Sequence, residues 1–156
     1  MDSPPIVEGE LTARDRKVAV IAARFNDFIV SSLLKGAMTS WIDRGGAADD
    51  LLVARVPGAF ELPVAARKLA ASGRYDAVVA LGCVIRGDTP HFDYVAGECA
   101  RGLQLASLET GVPIVFGVLT VESVEQALER AATTAGNKGG ESMETALEMA
   151  SLMDRL

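Results

Sequence analysis

A three-layer α/β/α sandwich around a parallel four-stranded sheet is predicted by three observations on the sequence. Four short, near-continuously apolar runs recur along it, segments with apolar residues at helical spacing separate them, and glycines close those segments. Strands buried on both faces read as unbroken apolar runs, and helices that alternate with them cover both faces through right-handed crossovers. With 156 residues, 49% of them hydrophobic, the chain suits one such domain and is short for two. A polar N-terminal arm is expected over residues 1–16, carrying the short apolar pair Ile6 and Val7, and the domain over 17–156.

Lys17 to Ala23 (KVAVIAA) reads as the first strand. Asn26 or Asp27 caps the first helix, whose apolar positions Ile29, Leu33, Ala37 and Trp41 share one face before Gly45 and Gly46 end it. Leu51 to Val56 is the second strand and Glu61 to Ala71 the second helix, closed by Gly73. Ala77 to Cys83 is the third strand, followed by a helix from about His91 to Glu109 that Gly111 closes. Pro113 precedes the fourth strand, Ile114 to Gly117, and Ser123 to Thr134 is the fourth helix, with Glu122 and Glu125 at its start where the helix dipole favours acids. A last helix runs from beyond Gly136 to the C-terminus, and the order of elements is flavodoxin-like. That helix has two apolar stripes, one through Met143, Leu147 and Ala150 and one through Met149, Leu152 and Leu156. The second stripe serves either self-association or a wedge between neighbours of its own subunit.

The formal net charge of −6 and the lack of any Lys/Arg run argue against nucleic acid and against a basic membrane-binding face. No stretch approaches the roughly eighteen apolar residues of a membrane span, and the first sixteen residues lack the apolar core of a signal peptide, so a cytoplasmic protein is expected. Cys83 and Cys99 form no metal-ligand cluster and are expected as free thiols, with no metal and no cofactor. No GxGxxG, Walker loop, CxxC pair or HExxH is present.

Ligands of open α/β sheets bind outside the carboxyl ends of the strands, so the segments leaving each strand carry the chemistry. These are Arg24-Phe25-Asn26-Asp27, Pro57 to Pro63, Val84 to Tyr94, and Gly117 to Thr120. Gly87, Asp88 and Thr89, just before a helix start, offer backbone N–H groups and a hydroxyl that suit a phosphate. His91, the single histidine, follows on the first helical turn, where it either moves protons or caps and packs. Phe25 and Phe60 at strand ends form either a stacking platform for a flat heterocycle or a lid over the core. Glu61 suits a helix start, Arg130 midway along a helix suits a solvated charge, and Asn137 to Glu141 suits an ordinary glycine-rich turn.

RFND, PGAFELP, GCVIRGDTPHFDYV, PIVFGVLT, and EQALERA followed by AGNKGGE together closely resemble lumazine synthases, in order and over nearly the whole chain from Ile6. The resemblance implies condensation of 5-amino-6-(D-ribitylamino)uracil with 3,4-dihydroxy-2-butanone 4-phosphate, through a Schiff base, loss of phosphate and ring closure. It implies that Phe25 stacks on the pyrimidine, that Ala59, Phe60 and Glu61 hold the ribityl chain and the uracil, and that Cys83, Val84 and Ile85 meet the ring mainly through backbone. It further implies that Asp88, Thr89 and Arg130 bind the phosphate and that His91 transfers protons. The resemblance also implies that Phe116, Arg130 and Lys138 reach in from a neighbouring subunit of a pentamer, alone or in an icosahedral shell, with riboflavin synthase as a possible companion.

Two positions depart from the usual family pattern: Cys83 stands where Thr or Val is common, and Ala132 where Gly often precedes the last helix. The short turn from Ala135 to Lys138 resembles that of shell-forming members. Alternatives are a homologous riboflavin synthase of the same fold and a non-catalytic flavin- or lumazine-binding shell protein, the latter needing no His91, Arg130 or Lys138. A flavodoxin-like electron carrier would need a phosphate loop directly after the first strand, and RFND is not one.

Overall fold

A computed structural model describes residues 2–132 and 136–156. The order is β1 (Val18–Ala23), α1 (Asp27–Asp43), β2 (Leu51–Val56), α2 (Leu62–Ala71), β3 (Ala77–Ile85), α3 (His91–Thr110), β4 (Ile114–Val121), α4 (Val124–Arg130) and α5 (Lys138–Arg155). The four strands are parallel in the order β2-β1-β3-β4. This is the expected three-layer α/β arrangement. The order reverses between β1 and β3, which opens a crevice at their carboxyl ends.

Successive side chains of a strand face opposite ways, and the central strands have apolar residues at nearly every position because both faces are covered. Val18, Val20 and Ala22 of β1, with Val79 and Leu81 of β3, meet Ile29, Leu33 and Trp41 of α1 and Met143 and Leu147 of α5. Ala19 and Ile21, with Val78 and Ala80, meet Leu62 and Ala66 of α2 and Phe92, Cys99 and Leu103 of α3. The helices α1 and α5 approach so closely that a Cβ on Gly139 would collide with the carbonyl group of Leu33.

Asn137 fixes the start of α5. Its Oδ1 accepts from the Gly140 N–H at 3.1 Å, and its Nδ2 donates to the carbonyls of Ser32 at 3.1 Å and Ala131 at 3.3 Å. What composition alone reads as an ordinary turn is a helix cap that also ties α1 to the end of α4. In α5 the stripe of Met143, Leu147 and Ala150 is buried in the subunit's own core, whereas Met149 and Leu152 are half-buried and Leu156 is exposed.

Several boundaries differ from expectation. β4 continues to Val121, because its ladder with β3 runs on through Cys83↔Leu119, Val84↔Thr120 and Ile85↔Val121. Gly117 to Thr120 is therefore strand, and the segment leaving β4 is Glu122-Ser123. A single 3₁₀ turn, Ala59–Glu61, precedes α2, so Glu61 is the residue before that helix. α4 ends at Arg130, which puts that residue on the last turn instead of midway. Thr133 and Thr134 of the expected fourth helix, Ala135 of the expected short turn, and Met1 of the expected arm lie outside the described residues.

Candidate active site

Three loops meet above the carboxyl ends of β1, β2 and β3, and backbone and side-chain hydrogen bonds lace them together. The Arg24 and Phe25 N–H groups donate to the carbonyls of Val56 and Pro57 at 2.8 and 3.0 Å. Asn26 has left-handed backbone angles (φ 62, ψ 44) and starts α1 without a side-chain cap. Its amide instead crosses to β3, where Nδ2 donates to the Cys83 carbonyl at 2.8 Å.

The loops enclose a cleft of about 850 Å³. Phe25, Ala59, Phe60, Glu61, Cys83, Val84, Ile85, Thr89 and His91 all line it, so nine of the thirteen expected site residues share one surface of one subunit. Phe25 is 72% exposed and Phe60 58%, which excludes a role for either ring as a lid over the core. Both rings stand at the cleft wall, available to a flat ligand.

Beyond Ile85 the chain makes a turn before α3. The N–H groups of Gly87, Asp88 and Thr89 make no hydrogen bond among the described residues, and they lie next to the N-terminus of a twenty-residue helix, His91–Thr110. Unspent N–H groups beside the positive end of a helix dipole are suited to an anion. His91 is the first residue of α3, exposed, and has no side-chain hydrogen bond among the described residues. Pro90 holds the cap position without a side-chain bond, so His91 neither caps nor packs. Thr89 and His91 line the cleft; Asp88 sits on the same turn, exposed to solvent.

Cys83 is buried in the cleft floor, and burial pushes its thiol up to about 11. A thiol so placed stays protonated near neutrality and is no nucleophile. At the start of α1 the Arg55 guanidinium meets Asp27 at 2.6 Å, and that hydrogen bond holds the Asp27 carboxyl below the ordinary carboxylate range.

Phe116, Arg130 and Lys138 lie elsewhere. They line a smaller recess of about 280 Å³ along β4, with Ser142 at its wall. Arg130 donates from Nη1 to the carbonyl of Gln126 at 3.1 Å, and Lys138 pairs with Glu141 at 2.9 Å. The chain thus carries two separate recesses: an aromatic cleft with a donor-rich turn, and a smaller cationic recess with one aromatic ring.

A family model described as 6,7-dimethyl-8-ribityllumazine synthase matches residues 15–154. The chain belongs to this family. Lumazine synthases are transferases of riboflavin biosynthesis.

Sequence reasoning missed several residues that this member of the lumazine synthase family places at the cleft. Tyr94 and Val95 line it three and four positions after His91, and helical spacing was the available signal. Asn26 was legible only as a possible cap, because nothing local in the sequence announces a left-handed residue whose amide reaches 57 positions along the chain. Arg86, within the quoted VIRGDT stretch, does not itself line the cleft but stacks over the Phe92 ring at 4.4 Å and pairs with Glu122 at 2.9 Å and Asp93 at 3.4 Å. Among the described residues no helix is long and apolar enough to cross a membrane.

Proposed function

We propose that the chain makes 6,7-dimethyl-8-ribityllumazine by joining 5-amino-6-(D-ribitylamino)uracil to 3,4-dihydroxy-2-butanone 4-phosphate, with release of phosphate and water. The observation that carries this reading is the convergence of Phe25, Phe60, Thr89 and His91 on one cleft in a chain of the lumazine synthase family. A flat pyrimidine finds an exposed ring in Phe25, its ribityl hydroxyls find Glu61 and the backbone of Ala59 and Phe60, and its polar edge finds the backbone at Cys83, Val84 and Ile85. The phosphate takes the N–H groups of the 87–89 turn and the Thr89 hydroxyl.

In this scheme the 5-amino nitrogen attacks the ketone carbonyl and water leaves, forming the imine. Phosphate then departs by β-elimination, and the ribitylamino nitrogen closes the second ring with loss of water. His91 transfers protons in these steps, a contribution of roughly a hundred- to ten-thousandfold. Holding the two reactants side by side supplies much of the rest.

Arg130 has the planar fork that suits a phosphate. It lies with Phe116 and Lys138 on a recess separate from the cleft, and this separation supports a ring in which each subunit's recess completes its neighbour's cleft. The second stripe of α5, half-buried at Met149 and Leu152 and exposed at Leu156, supports assembly beyond the single chain, as a pentamer or a shell of pentamers. The free thiols Cys83 and Cys99 are in keeping with a reducing cytoplasm.

Mixing the purified protein with both substrates and following lumazine absorbance and phosphate release tests the reading, with lumazine alone run in parallel. Lumazine formed well above the uncatalysed rate is expected. Riboflavin from lumazine alone would reassign the chain to the homologous synthase, and neither product would leave a ligand-binding shell protein.

A further inference from the structure

Arg86 stands where β3 ends and the donor-rich turn begins. Its backbone N–H donates to the Val121 carbonyl at 2.9 Å, the last rung joining it to β4. Its guanidinium lies 4.4 Å from the centre of the Phe92 ring, which is itself only 9% exposed. Nε meets Glu122 at 2.9 Å, and Nη1 meets Asp93 at 3.4 Å. One planar group therefore holds three things at once: the first turn of α3 through Phe92 and Asp93, the end of β4 through Glu122, and its own loop between them.

The polar contacts continue from there. The Glu122 N–H donates to Oε1 of Gln126 at 2.8 Å, and the Gln126 carbonyl accepts from Arg130 at 3.1 Å. A series of contacts thus runs from the first turn of α3, which carries His91, through Arg86 to the helix that carries Arg130. Two carboxylates and a ring face already engage the Arg86 guanidinium, and Arg86 is not among the residues that line the cleft. It acts on other groups.

Resting on the function proposed above, we propose that Arg86 is a positioning residue: its fork sets the 87–90 turn and the start of α3 against the β4–α4 junction, and so aligns the phosphate-binding donors with His91. The role needs a planar, multiply donating cation, because an ammonium is a point charge that cannot stack on Phe92 while reaching both carboxylates. Misplacement by about 1 Å is enough to cost on the order of a hundredfold in rate.

The test is steady-state kinetics on Arg86→Met, Arg86→Lys and Glu122→Gln beside the unaltered protein, with inorganic phosphate titrated as an inhibitor. Arg86→Met is expected to lower kcat/KM for the butanone phosphate about ten- to a hundredfold and to weaken phosphate inhibition, while KM for the pyrimidine changes by less than about twofold. Arg86→Lys is expected to recover little of this, and Glu122→Gln to move the same parameters less far. Unchanged parameters, equal loss for both substrates, or full recovery with lysine each overturn the assignment. Should Arg86→Met fail to fold, Glu122→Gln carries the test in the same direction. An unaltered protein that makes no lumazine fails the proposed function itself, whereas an active protein with indifferent variants fails Arg86 alone.

Discussion

The side-chain amide of Asn26 donates to the carbonyl of Cys83 across 2.8 Å, joining the loop after β1 to the far part of β3. Residues 57 positions apart thereby share one wall of the cleft, with Phe25 next to the donor and Val84 next to the acceptor. Asn26 tolerates its left-handed backbone (φ 62) as few residues do. Asn26→Ala loses the bond and strains the backbone, a destabilisation of about 2 kcal/mol. Asn26→Gly loses only the bond and is expected to be the milder of the two. Chemical denaturation of both variants checks the order, and alanine proving no worse than glycine would remove the backbone contribution.

Replacing His91 with alanine is expected to slow turnover by about tenfold or more while leaving the fold intact, since the side chain is exposed and bonded to no other group among the described residues. Single-turnover kinetics with circular dichroism separate these effects. A variant with undiminished turnover would take His91 out of the chemistry.

How far the site was legible follows the range of the interactions involved. The strands, helices and exit loops came from local periodicity, and nine of the expected residues did gather in one cleft because each sits at the end of a strand or in the segment that leaves it. The end of β4 was misplaced because Gly117 resembles a stop, although the ladder with β3 carries the strand on to Val121. The same glycine is needed for close packing: a Cβ there would lie 2.7 Å from Leu81 and 2.8 Å from the Ser142 hydroxyl. Asn26 and Arg86 act through partners far along the chain, and no window of sequence displays those. Phe116, Arg130 and Lys138 were singled out by family resemblance alone, and they line a recess separate from the cleft.

The proposed ring, in which each recess completes a neighbour's cleft, predicts complementation. His91→Ala spoils the cleft and Arg130→Ala spoils the recess, so each homogeneous protein is impaired at every site. Arg130→Ala alone is expected to raise KM for the butanone phosphate. Unfolding the two together and reassembling them in equal amounts should restore about a quarter of the sites, those in which an intact cleft meets an intact recess from a neighbour. Activity that never exceeds the average of the two separate variants would place both residues in the site of one subunit.

Close packing of α1 on α5 makes Gly139 a sensitive position. An alanine there directs its methyl into the Leu33 carbonyl, and backbone cannot yield as a side-chain tip can. Gly139→Ala is expected to destabilise by about 1–3 kcal/mol, the usual range for overpacking. Urea titration followed by the fluorescence of Trp41, buried on the same side of the sheet, provides the measurement. A midpoint equal to that of the unaltered protein would mean that the two helices separate at no cost.

Burial of the two thiols makes stability fall in alkali. Both Cys83 and Cys99 are pushed up to about 11 from an ordinary 9.0 by desolvation of the thiolate. Above pH 9 the unfolded chain ionises these groups while the folded chain keeps them protonated, so unfolding releases protons and becomes easier as pH rises. The stabilisation is whole below pH 9 and declines up to about 11, where the folded thiols ionise too. The double variant Cys83→Val, Cys99→Val should therefore lose less in Tm between pH 8 and 10 than the unaltered protein, whatever its starting value. For the same reason alkylation of the native thiols is expected to be slow at pH 8, and rapid labelling there, at the rate of an exposed thiol, would contradict the protonated, buried state from which the pH dependence follows.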